Sequence, residues 1–124
     1  MQLLNNLFEI VDGGEDTTGF TSTIKFFPGH VIFKGHFPGH PVTPGVIFLQ
    51  LVHELVERHL NKSIRLVELS TCKFLRVVDP EFGEIAQISV SIKAKDDLLH
   101  VKALGKNETG AIFKLNADYR PLRK

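Results

Sequence analysis

The sequence predicts an α+β domain in which one antiparallel sheet wraps around a single long helix. Three observations carry that prediction. A largely apolar helical period runs from Val46 to about Leu60. Two alternating segments precede it, and three or four follow it, each closed by turn residues. The chain has 124 residues, enough for one domain spanning 1–124 and too few for two.

Leu7 to Asp12 reads as a short strand, and the turn-rich stretch Gly13 to Gly19 as the connection after it. Phe20 to Phe27 alternates, with Phe20, Ser22, Ile24 and Phe26 on one face, so the pair reads as a hairpin. Pro28 to Gly45 holds too many Gly and Pro residues for a regular element, yet keeps Val31, Ile32, Phe33, Phe37 and Val42. That combination predicts a structured loop, and long ordered loops are usually functional. Pro44 suits the first position of the helix that follows. Its apolar arc leaves Gln50, His53, Glu54 and Glu57 on one narrow polar stripe, and Asn61-Lys62-Ser63 ends it. Strands are then expected over Ile64–Val78, Glu84–Lys95, Leu98–Leu104 and Ala111–Tyr119. Turns are expected at Asp79–Gly83, Asp96-Asp97 and Gly105–Gly110.

Apolar residues make up 43% and charged residues 23%, which excludes disorder and coiled coil. No run approaches the roughly 20 apolar residues of a membrane span, and no signal peptide is expected at the N-terminus. Fifteen basic residues face fourteen acidic ones, so nothing suggests a nucleic-acid partner. Cys72 is the only cysteine, which excludes an internal disulfide and a Cys-rich zinc site. It reads as an inert buried thiol in a cytoplasmic protein.

The chemistry concentrates in Gly35-His36-Phe37-Pro38-Gly39-His40-Pro41-Val42-Thr43-Pro44-Gly45-Val46. His36 lies in a loop stiffened by Gly and Pro, just before a helix whose first amides lack internal partners. Those amides and the helix dipole favour negative charge, so a thioester carbonyl there would gain oxyanion stabilisation. A histidine beside such a site suits a general base. The competing reading gives His36 a loop hydrogen bond only.

The run His36-Phe37-Pro38-Gly39-His40-Pro41-Val42-Thr43-Pro44-Gly45 resembles the signature of the β-hydroxyacyl-acyl carrier protein dehydratases, within the hot-dog superfamily. Weaker agreement continues at Asp12, Phe33, Gly35, Lys73-Phe74, Pro80 and Gly83, so the resemblance covers about residues 5–120. It implies a hot-dog fold and dimers with a continuous sheet and two interfacial sites. It implies that His36 abstracts the α-proton of a 3-hydroxyacyl thioester. The Val42 carbonyl would orient the His36 ring, and the Gly45 and Val46 amides would hold the thioester oxygen. The product would be the trans-2-enoyl thioester, in fatty acid, polyketide or polyene synthesis. No metal or redox cofactor is implied; the acyl group rides on the phosphopantetheine of acyl carrier protein, the expected partner.

One position departs from the family. The family's acid, a Glu or Asp on the partner subunit's central helix that protonates the leaving hydroxyl, falls at Gln50, and a primary amide cannot act as a general acid. Three readings follow. Gln50 orients the hydroxyl while His36 handles both proton transfers. Glu54 substitutes, one turn along and roughly 6 Å away, unless it merely pairs with Arg58. Or the chain is a non-catalytic or heteromeric partner subunit, paired with a related dehydratase or binding an acylated carrier. A homodimer, a heterodimer and a higher oligomer all fit, and an acyl thioesterase is the rival activity. Among the other histidines, His30, His40, His59 and His100 read as loop or surface residues. His53 with Glu54 and Glu57 reads as a hydrogen-bonding group rather than a metal site. Arg58, Lys62, Arg65, Lys73 and Arg76 are either a basic patch for an acidic carrier or simply solvated.

Overall fold

The computed structural model describes residues 8–26, 45–75 and 85–122. Among these residues six strands surround one helix: β1 (Phe8–Glu15), β2 (Gly19–Phe26), α1 (Gly45–Leu60), β3 (Ile64–Phe74), β4 (Ile85–Lys95), β5 (Leu98–Asn107) and β6 (Gly110–Pro121). They form one antiparallel sheet in the order β1-β2-β4-β5-β6-β3. The expected meander therefore holds only from β4 to β6. β3 pairs with β6, not with its successor, and becomes an edge.

The strand periods match the packing. Phe20, Ser22, Ile24 and Phe26 are buried on the inner face of β2, and Ala86, Ile88 and Val90 on that of β4. Against them α1 buries Ile47, Phe48, Leu51, Val52, Leu55 and Val56. Phe48 is the hub: its ring stacks on Phe113 at 4.8 Å and meets the edge of Phe26 at 6.2 Å. Such aromatic pairs add about 0.5–1.5 kcal/mol beyond the area they bury.

Two expectations about glycine fail. β1 runs on through Gly13 and Gly14 to Glu15, because pairing with Ser22 and Thr21 of β2 satisfies that backbone. A bulge at Val11 resets the register there. The turn is tighter than expected: Asp16 accepts from Thr18 N (2.8 Å), Thr18 Oγ1 (2.9 Å) and Gly19 N (2.8 Å). These bonds, led by the Thr18 amide, hold the Asp16 carboxyl below its ordinary pKa. Gly105 likewise lies inside β5, and the turn comes at Glu108-Thr109, where Asn107 Oδ1 accepts from Thr109 N and Oγ1. The Asp96-Asp97 turn is as expected: both residues have positive φ (52° and 65°), as a type I′ hairpin requires.

α1 ends at Asn61 (φ 53°) in the left-handed conformation, with Lys62 N donating to the Glu57 carbonyl. The Glu57 carboxylate accepts from Ile64 N at 2.9 Å and so ties the helix end to the start of β3.

Candidate active site

The motif from His36 runs directly into α1, which begins at Gly45. Gly45 and Val46 therefore supply the first-turn amides, which have no partner within the helix. His36 and Val42 lie outside the described residues, as do His30 and His40.

The polar stripe of α1 is where the sequence places it. Gln50, His53, Glu54 and Glu57 are half-buried beside the fully buried Leu51, Val52 and Val56. Within the stripe Gln50 Nε2 donates to Glu54 Oε2 at 2.9 Å. Glu54 is thus bonded to Gln50. One helical turn separates their backbones, but the side chains meet, so the Glu54 carboxylate reaches the Gln50 amide.

His53 sits 3.5 Å from Glu57 and turns its ring edge toward Tyr119, centroids 5.5 Å apart. No group of three metal-ligating side chains occurs among the described residues. His59 is more engaged than a plain surface residue: it stacks on Phe20 at 4.5 Å and lies 3.3 Å from Glu15. His100 pairs across strands with Asp118. Neither pair is visible in the sequence, since each joins segments remote along the chain. Cys72 lies on the inner face of β3 opposite Leu115, half-buried rather than fully buried, and burial raises its thiol pKa. No described helix is long and apolar enough to cross a membrane.

The outer edge of this arrangement is apolar. Leu66, Val67, Leu69 and Phe74 of β3, with Leu75 after it, are 37–49% exposed. They lie along an edge strand of the sheet.

Comparisons with known proteins place the chain. The 3-hydroxyacyl-acyl-carrier-protein dehydratase FabZ of Lactobacillus helveticus is 32% identical over 84 residues, 61% of this chain and 55% of that protein. The FabZ of Rickettsia massiliae is 40% identical over 90 residues, 66% of this chain and 59% of that protein. The chain thus spans less than two thirds of the length of these two relatives. Among solved structures, the dehydratase heterocomplex ApeI:P from Xenorhabdus doucetiae superposes with a TM-score of 0.71 at 18% identity, covering 90% of this chain and 96% of that one. A mutant of the fluoroacetyl-CoA-specific thioesterase FlK superposes at 0.67 with 10% identity, covering 88% and 90%. Both show the hot-dog fold and no more than the fold. The ApeI-like family, described as ApeI dehydratase, matches residues 13–113. Because that match runs from the first strand into the last, the chain belongs to the ApeI-like dehydratase family.

Proposed function

We propose that the chain dehydrates 3-hydroxyacyl thioesters carried on acyl carrier protein, giving trans-2-enoyl thioesters, with Glu54 in the role that Gln50 cannot fill. The observation that carries this reading is the Gln50–Glu54 hydrogen bond, which sets a carboxyl beside the position of the missing acid. His36 takes the α-proton, and the Cα–H electron pair forms the new double bond. The C–O bond breaks, and the Glu54 carboxyl gives its proton to the departing hydroxyl, which leaves as water. The Gly45 and Val46 amides hold the thioester oxygen as charge develops on it. Val42 orients the His36 ring. The chain's own groups account for each of these steps, without a resident metal or redox cofactor.

Assembly belongs to the same reading. The exposed apolar side chains of β3 and its edge position among the described strands suit strand-to-strand pairing with a second hot-dog subunit. The solved dehydratase heterocomplex that shares this fold supports a related subunit as that partner.

Mass spectrometry of water loss from a series of 3-hydroxyacyl-carrier substrates tests both readings. His36→Ala is expected to abolish turnover, and Glu54→Gln to lower it by about 10²–10⁴. Gln50→Glu should restore activity if Glu54 is removed. Full activity of Glu54→Gln would overturn its role. Turnover that appears only on adding a related subunit would move the acid to that partner. Release of free thiol instead of an enoyl product would identify a thioesterase.

A further inference from the structure

The outer face of the sheet, turned away from α1, carries a feature that dehydration does not use. Two adjacent cross-strand rows run over it. One passes from Thr21 through Ser89, Leu104 and Lys114 to Lys73; the next passes from Gly19 through Ser91, Lys102 and Asn116 to Thr71. The β2 and β4 positions are small and mostly hydroxylated, whereas β5, β6 and β3 supply long lysines. The surface is therefore a trough of about 520 Å³, floored by short polar groups and walled on one side by ammonium groups.

The charges are unbalanced. Lys73 stands directly opposite Lys114, and like charges in that position repel. Lys102 is the diagonal neighbour of Lys114, roughly 7–8 Å away. None of the three pairs with a carboxylate among the described residues. Asp16 at the rim turns its carboxylate into its own hairpin, and Asp118 in the next row is bonded to His100.

We propose that this trough binds a small anion bearing phosphoryl groups. Lysines supply point charges for such groups, and the Ser89, Ser91 and Thr71 hydroxyls supply neutral donors. The trough's other apolar lining residues (Phe20, Val90, Ala103 and Leu115) are buried on the inner face, which leaves Leu104 as the apolar side chain on the floor. The trough thus lacks the aromatic anchors of a protein interface. A second copy docked back to back would set lysines against lysines.

Calorimetric titration with inorganic pyrophosphate at fixed ionic strength tests this on the full chain. Saturable binding is expected, weakened at least about tenfold in Lys102→Gln/Lys114→Gln, where two charges facing the ligand are gone. Lys25→Gln/Lys93→Gln, exposed positions outside the trough, should bind like wild type. A nucleoside diphosphate binding more tightly than pyrophosphate would place the ligand among nucleotides, and equal affinity would assign recognition to the phosphoryl groups alone. Absence of saturable binding overturns the proposal, as does equal weakening by the control pair. So does polyglutamate that pyrophosphate fails to displace, which would make the face a docking site for an acidic protein. Unchanged circular dichroism in both variants separates lost binding from lost folding.

Discussion

Tyr119 is the chain's single tyrosine, and 1% of it is exposed. Burial, with a smaller push from Cys72, raises its pKa to about 12. The unfolded chain releases that proton near its ordinary value of about 10, so the folded state holds a proton that the unfolded state loses. Stability is therefore unaffected by this group below pH ~10, falls by about 1.4 kcal/mol per unit from there, and levels off above the folded value. Alkaline titration followed at the phenolate absorbance band checks this. While the circular dichroism is intact, the band should stay flat through pH ~10 and rise only toward about 12. A phenolate signal that saturates near pH 10 in folded protein would contradict the buried placement. The sequence made Tyr119 the last residue of a strand and said nothing of its neighbours, because Cys72 and His53 reach it only through the β3–β6 pairing and the packing of α1.

At the scale of elements, the helix and the strand periods were legible because burial acts on every second or every third and fourth residue. Glycine's conformational freedom marks turns, but pairing can hold it in a strand, as at Gly13 and Gly14, and its missing side chain also marks close packing. At Gly105 the second meaning holds. A Cβ there would lie 2.2 Å from Phe113 Cε1, on a ring fully buried and stacked on Phe48. The ring has nowhere to go, so Gly105→Ala is expected to cost about 1–3 kcal/mol in chemical denaturation. Pairing it with Phe113→Leu, which vacates part of the space, should recover some of that loss. Additive losses in the double variant would mean that the two positions do not share the space. The place of β3 was also hidden, since nothing local in Ile64–Phe74 says that its partner is β6 and not β4.

For the molecule as a whole, the motif beginning at His36 and the polar stripe of α1 could be read as chemistry from residue types alone. The link between Gln50 and Glu54 could not. It depends on two rotamers meeting, which spacing permits but does not specify. Pairing through the β3 edge has a consequence in solution. If a second subunit covers Leu66, Leu69 and Phe74, unfolding is linked to dissociation, and the melting temperature rises with protein concentration. Leu69→Lys, on the exposed edge, is expected to abolish that dependence and yield a monomer by light scattering. A melting temperature independent of concentration in the unmodified chain would count against the paired state.

The same topology bears on how the chain is made. β3 is complete early, yet Ile64 must wait for Pro121, and Phe74 for Phe113, before either strand gains its ladder. Until β6 leaves the ribosome, the apolar stretch from Leu66 to Phe74 lacks the strand with which it pairs among the described residues. Synthesis therefore passes through a window in which an adhesive strand is exposed, and the final hairpin closes it.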